Sequence, residues 1–295
     1  MEIFTKKKII SDLQNLGLKK GDIIHVKVSM RSVGKLENGA NTLLEALLET
    51  IGEEGTLVAD SFVNVYPLPL NSLQKLDIAD DNTPSNAGVF VNEMIKHPKM
   101  FRSKHPIQKF VAIGNFAEKI CAQHLPNSGG YDLLKNIINL NSKNLNIGEN
   151  IIGVGTTHLA IEYLNFKRKQ LNLGRLYRTE KGDIELAKVN WNGGCSNGFV
   201  NFLPYYENNK AIISKGKLGR TQAILTDMKK TLEIEIQELK NNPSLFFCSN
   251  PACYSCKMTW EHSEKNKIKF GFNWLRKNFK NLSFKRILSI FKIVK

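Results

Sequence analysis

The sequence predicts an α/β protein: a three-layer α/β/α sandwich with a mixed central sheet, plus a basic amphipathic tail at the C-terminal end. Three observations predict it. Segments with apolar residues at helical spacing alternate with short apolar runs of strand length. Glycine-bearing turns separate them. The 295 residues, 42% of them apolar and 23% charged, suffice to bury a sizeable core, which excludes disordered, collagen-like and disulfide-dense classes.

In residues 6–18, Ile9, Ile10, Leu13 and Leu16 recur at helical spacing, and Gly17 and Gly21 supply the stop and turn. The run Ile23-Ile24-His25-Val26-Lys27-Val28 reads as a strand. A helix follows over 41–51, with Leu43, Leu44, Leu47, Leu48 and Ile51 on one face, and then a strand over 55–62. Residues 63–84, rich in Pro, Asn and Asp, make a loop of a length that marks function more often than a linker. Helices are predicted over 87–97, 116–123 and, with long periodicity, 218–239; strands are predicted over 110–114 and 150–155. Residues 281–295 place Phe284, Ile287, Leu288, Phe291 and Val294 on one helical face, with Lys285, Arg286, Lys292 and Lys295 off it.

Lys and Arg total 42 against 27 Asp and Glu, a net charge of +15 that points to an anionic partner. The excess is concentrated: residues 265–295 hold ten of the basic residues and no acidic one. The chain therefore divides into a main unit over 1–264 and a basic tail over 265–295. The first eight residues lack the apolar core of a secretory signal, the five cysteines are an odd number, and no apolar run reaches the roughly 18 residues of a membrane span. A reducing, cytoplasmic setting is expected, with any membrane attachment peripheral to the inner face.

No phosphate loop, dinucleotide fingerprint or nucleophile elbow is present, which removes the kinase, Rossmann and α/β-hydrolase readings. The polar clusters say more when read in order. The strand from Gly21-Asp22 ends in Ser29-Met30-Arg31-Ser32-Val33-Gly34, and Gly55-Thr56-Leu57 opens the second strand. Thr83-Pro84-Ser85-Asn86-Ala87-Gly88 opens a helix, and Arg102-Ser103-Lys104-His105-Pro106 precedes a strand. Gly153-Val154-Gly155 and Glu162-Tyr163 come last. In this order and spacing, from Leu16 to Trp260, the chain resembles the aminoglycoside 3-N-acetyltransferase family.

The resemblance implies N-acyl transfer to a sugar amine from acetyl-CoA, or another acyl-CoA. A base must take a proton from the amine as it attacks the thioester. His105 matches the family's R-S-x-H-P histidine and is the expected base; Glu162, at the Glu-Tyr position, is its expected orienter. Ser29, Arg31, Ser32, Thr83, Ser85, Arg102 and Ser103 fall on motifs implied to lie along the donor, with hydroxyls for amides and arginines for phosphates. Ser85 and Thr83 also suit helix capping before Ala87. A strand-end N–H with the Ser29 hydroxyl is the expected oxyanion stabiliser. The family's V-H-S-S stands here as Val26-Lys27-Val28-Ser29, a departure that bears on the acceptor, and His158 is left unassigned.

A site for polycationic aminoglycosides should be acidic, whereas this chain is basic. The expected acceptor is therefore a nucleotide-linked or cell-surface-polysaccharide amino sugar, with an aminoglycoside as the alternative and a basic module for RNA or anionic membrane as the second alternative. Nucleic acid is not favoured, because no base-reading motif is recognisable. Cys248, Cys253 and Cys256, in C-x4-C-x2-C spacing, suggest structural zinc with Cys195 or His262 as fourth ligand, against reduced cysteines that bind nothing. Cys121 reads as a core residue. The tail, with Trp274, Phe279, Phe284 and Phe291 among its basic residues, suits an anionic membrane surface, or packing on the body or on a partner.

Overall fold

The computed structural model describes residues 2–148, 155–190 and 194–279. The predicted strand over 150–155, apart from Gly155, and the amphipathic segment over 281–295 lie outside the described residues. Strand β1 (Ile3–Phe4) leads into helix α1 (Lys6–Asn15), whose Thr5 cap accepts from the Lys8 N–H. Strand β2 (Ile23–Val28) follows with the predicted bounds, then α2 (Met30–Val33), β3 (Lys35–Leu36) and α3 (Gly39–Ile51). Strand β4 (Thr56–Asp60) precedes the long loop, which contains β5 (Tyr66–Pro67) and α4 (Ser72–Leu76). Helix α5 (Val89–Lys96) starts two residues later than predicted, because Gly88 takes a φ of 114° that a helix cannot contain.

Next come β6 (Met100–Arg102), β7 (Phe110–Gly114), α6 (Ala117–Ala122), α7 (Asp132–Ile138), β8 (Lys143–Ile147) and α8 (Thr156–Tyr163). A hairpin, β9 (Leu173–Arg178) and β10 (Ile184–Lys188), a 3-10 turn at Phe199–Phe202, and α9 (Leu203–Asn208) follow. The helix expected over 218–239 is a correction. Its first part belongs to a second hairpin, β11 (Ile212–Leu218) and β12 (Thr221–Asp227), which turns at Gly219 with φ 56°. Only from Met228 does a helix run, α10 (Met228–Asn241), started by Asp227 accepting from the Lys230 N–H. A short π turn at Ser255–Thr259 and α11 (Lys267–Asn278) complete the order; none of the residues of α11 is buried.

The main sheet has seven strands in the order β11-β12-β8-β2-β4-β7-β6. Strand β2 runs parallel to β4 and β8, and the outer pairings are antiparallel, so the sheet is mixed as predicted. Close strand packing needs glycine at Gly114: its φ is 122°, and an added Cβ would lie 2.1 Å from the Gly55 carbonyl oxygen. A separate antiparallel sheet, β10-β9-β5, gathers the long loop.

Alternation along the strands builds the three layers. Ile24, Val26, Leu57, Ala59, Val111, Ile113, Leu145 and Ile147 face one core, shared with α1, α3 and α5. Ile23, Val58, Phe110 and Ala112 face the other, shared with α6, α7, α8 and α10. The same register puts His25, Lys27 and Asp60 on the second face near the ends of β2 and β4. No helix among the described residues is long and apolar enough to cross a membrane.

Candidate active site

Parallel strands β2 and β4 end together, and ligands in open α/β sheets bind beyond such carboxyl ends. A cleft of about 520 Å³ lies there, lined by Lys27, Ser29, Arg31, Asp60 and Phe62 and by the first turn of α5 at Gly88 to Val91. Gly88 provides no side-chain cap, so the first N–H groups of α5 keep the partial positive charge that suits an anion.

Beneath the cleft lies a polar cluster. Asp60 Oδ1 is 3.2 Å from His25 Nε2, Asp60 Oδ2 is 3.3 Å from Lys27 Nζ, and His25 Nδ1 is 3.0 Å from Asn144 Oδ1. Burial pushes the Asp60 carboxyl up, but the Lys27 ammonium and His25 outweigh it and hold the group well below the usual carboxylate range. It is ionised at neutral pH.

His158, in the first turn of α8, feels the charges of Lys27 and Asp60. Its ring stacks on Tyr131 at 4.2 Å, meets Phe199 edge-on at 5.1 Å, and is half-buried. Burial, reinforced by Lys27 and partly offset by Asp60, lowers its pKa to about 3, so the ring is neutral. Its Nδ1 has no hydrogen-bond partner among the described residues. Glycine at 155 permits this placement: an added Cβ would sit 2.2 Å from Leu134 Cδ1.

The residues singled out from sequence separate into two groups. Ser29 and Arg31 line the cleft, and the Ser32 hydroxyl lies 2.9 Å from that of Ser29. The Ser29 N–H is taken by the Ile147 carbonyl, so only its hydroxyl remains for an oxyanion. The others meet the protein's own backbone and side chains. Arg102 is buried and donates to the carbonyls of Asp81, Thr83 and Ser61; burial lowers its pKa to about 10. Thr83 Oγ1 donates to Asp80 Oδ1, and Ser85 Oγ donates to the Phe62 carbonyl while accepting from the Ala87 N–H. Ser103 Oγ accepts from the Phe110 N–H and bonds His124 Nδ1.

His105 is buried and stacks on His124 at 5.0 Å. Its Nδ1 accepts backbone N–H groups from Gln108 (2.8 Å) and Ile107 (3.2 Å), and burial lowers its pKa to about 3. Glu162 is exposed on α8 and accepts from Lys135 Nζ at 2.7 Å. Sequence reasoning missed His158, Asp60, His25 and Lys27 as a group. For His25, Lys27 and Asp60 the available signal was polar residues at inward positions of otherwise apolar strands, whereas His158 lies on helix α8, where that signal is absent.

The sulfurs of Cys195, Cys248, Cys253 and Cys256 all lie within 4.8 Å of one another, while Cys121 is a buried core residue, as predicted. His262 instead stacks on Phe247 at 5.3 Å.

The sequence model of the aminoglycoside 3-N-acetyltransferase family matches residues 25–240. Among curated relatives, the aminoglycoside N(3)-acetyltransferase IV of Salmonella sp is 36% identical over 121 residues, which is 41% of this chain and 44% of that protein. The SPbeta prophage-derived aminoglycoside N(3')-acetyltransferase-like protein YokD of Bacillus subtilis (strain 168) is 32% identical over 136 residues, 41% of this chain and 50% of that one. The chain spans about half the length of the curated relatives it matches. The crystal structure of YokD superposes with a TM-score of 0.72 at 25% identity, covering 83% of this chain and 96% of that one. The aminoglycoside acetyltransferase AAC(3)-IVa apoenzyme gives 0.70 at 25% identity, covering 87% and 96%. With a family match across most of its sequence and the same fold, this chain belongs to the aminoglycoside 3-N-acetyltransferase family.

Proposed function

We propose that this protein is an acyl-CoA-dependent N-acetyltransferase acting on an amino group of an aminoglycoside. The observation that carries the reading is the neutral, half-buried His158 ring with an unpartnered Nδ1, within electrostatic reach of the ionised Asp60 carboxylate, which itself lines the cleft at the strand ends. An amine that attacks a thioester carbonyl must lose a proton, and His158 is the group able to take it. Asp60 stabilises the imidazolium that results, and Lys27 holds Asp60 ionised. The Ser29 hydroxyl serves the oxyanion, and Arg31 with the α5 N-terminus attracts the anionic part of the donor. His105 yields this role because backbone donors occupy its Nδ1 lone pair, and Glu162 yields because it pairs with Lys135. Arg102, Ser103, Thr83 and Ser85 shape the loop over the sheet end.

Relatives named for aminoglycosides favour that acceptor over a nucleotide-linked sugar. Net charge does not oppose it, since most of the excess lies in residues 265–295. A second cleft, of about 660 Å³, is lined by carboxylates and by Lys104, Lys109, Arg178 and Lys181; Asp81 and Glu180 already pair with these lysines, which leaves Asp80, Asp183 and Glu185 as the carboxylates without an ion pair to a lysine or arginine among the described residues. Helix α11 has a separate role in this reading. Its Ile268, Phe272 and Leu275, with Phe279 just beyond, are exposed at i, i+4, i+7, i+11 spacing amid basic residues, a stripe suited to an anionic lipid surface.

The test is thiol release from acetyl-CoA across aminoglycosides, amino-sugar nucleotides and free amino sugars. Release with aminoglycosides is expected, reduced about 10²- to 10⁴-fold in His158→Ala. Release only with amino-sugar nucleotides would restore the other acceptor. Absence of both release and acetyl-CoA binding, with salt-sensitive RNA binding, would replace the enzyme reading by a binding module.

A further inference from the structure

We propose that Cys195, Cys248, Cys253 and Cys256 form a structural zinc site. Four thiols drawn from two separate stretches of chain lie within 4.8 Å of one another. Zinc bound tetrahedrally to four sulfurs at about 2.3 Å sets them about 3.8 Å apart, so each needs to move inward by only roughly half an ångström. Cys248 and Cys256 are buried, and Cys195 and Cys253 are half-buried, which gives a closed set of four ligands rather than an open catalytic position. The Cys248 N–H donates to Cys256 Sγ at 3.5 Å, a bond that strengthens as the sulfur becomes a thiolate.

The surroundings fit the charge. Forming four Zn–S bonds releases four thiol protons and leaves a centre of net charge −2. The Arg168 guanidinium stacks on Trp260 at 5.3 Å and abuts Gly194, where an added Cβ would lie 2.6 Å from Arg168 Nη1 and 2.8 Å from Ser255 Oγ. A cation thus stands next to the first ligand, and glycine is the residue that lets the chain close there. Soft thiolates select zinc over the hard cations magnesium and calcium. His262, the other fourth ligand considered from sequence, is engaged with Phe247, and Cys195 completes the set.

The site has a consequence for the catalytic cluster. Cys195 lies four residues before Phe199, whose ring packs edge-on against His158. The Asn201 amide donates to the carbonyls of Leu245 and Phe247, just before Cys248. Zinc would clamp these two stretches and so fix one wall of the histidine's pocket.

The experiment measures metal in the full chain purified under reducing conditions without chelator. About one zinc per chain is expected, unchanged in Cys121→Ala and lost in Cys253→Ser and Cys195→Ser. Chelation should lower the unfolding midpoint by about 5–10 °C. If the serine variants fail to fold, cobalt(II) is titrated into chelator-treated wild type, where one equivalent should produce tetrahedral thiolate absorption. Wild type with less than about 0.1 zinc and no such cobalt spectrum would overturn the proposal. So would iron in place of zinc, or two disulfides per chain found by alkylation and mass spectrometry.

Discussion

Glu235 offers a pH-dependent test of how the helices behind the site are packed. Its carboxyl is fully buried on α10; Thr157 Oγ1 donates to Oε1 at 2.5 Å, and the Tyr206 hydroxyl donates to the same oxygen. Burial outweighs these hydrogen bonds and pushes its pKa from 4.5 up to about 8. The folded protein therefore holds a proton that the unfolded chain gives up above pH 4.5. The stabilisation is complete below that pH and is lost as pH rises through about 8, at about 1.4 kcal/mol per pH unit. Across the window the loss reaches about 4–5 kcal/mol.

Glu235→Gln removes the titration and keeps an acceptor for both hydroxyls. An offset of about 1 kcal/mol is allowed for the amide nitrogen, which replaces an oxygen with no partner among the described residues. The variant should thus match wild type within about 1 kcal/mol near pH 4.5 and exceed it by about 3–4 kcal/mol at pH 8.5. For a chain of this length that is about 6–8 °C in unfolding midpoint. Differential scanning calorimetry at pH 4.5, 5.5, 7 and 8.5 measures it. A midpoint difference that stays constant with pH, or a variant less stable at pH 8.5, would refute the account of the buried acid. Turnover should persist, since Glu235 supports Thr157 rather than the reacting atoms.

Asp60→Asn leaves Lys27 and His25 facing a neutral amide and should cost about 2 kcal/mol at pH 7. Because the Asp60 carboxyl is held below its ordinary 3.8, this stabilisation is present above that pH and lost as pH falls further, so urea midpoints of the two proteins should converge in acid; a gap that widens there would count against the cluster. Removing residues 265–295 should abolish sedimentation with vesicles containing anionic phosphatidylserine while leaving acetyl transfer intact, and full-length protein that ignores such vesicles at low salt would leave the exposed stripe on α11 without a lipid partner.

Local signals were sufficient where one segment determined its own state. The strand over 23–28 was legible because its apolar run sits between Gly21-Asp22 and a serine, and the helix over 41–51 because five apolar residues share a face. Over 218–239 the periodicity misled. The strand β12 has inward residues whose burial comes from β8 and β11, partners set by pairing rather than by neighbours in sequence. The family motifs found the sheet end that forms the cleft, yet they could not tell a residue that faces the cleft from one that braces it. Arg102 illustrates the difference: its three carbonyl partners lie 19 to 41 residues away.

By itself the sequence determined the layered α/β architecture, the position of the basic tail, and the family to which the chain belongs, because periodicity, charge and motif order are properties of a linear string. The tertiary structure alone decided which histidine keeps a lone pair and that Cys195 rather than His262 joins the other three thiols. Those outcomes depend on burial and on hydrogen-bond partners that folding brings from distant strands and helices, and no spacing along the chain encodes them.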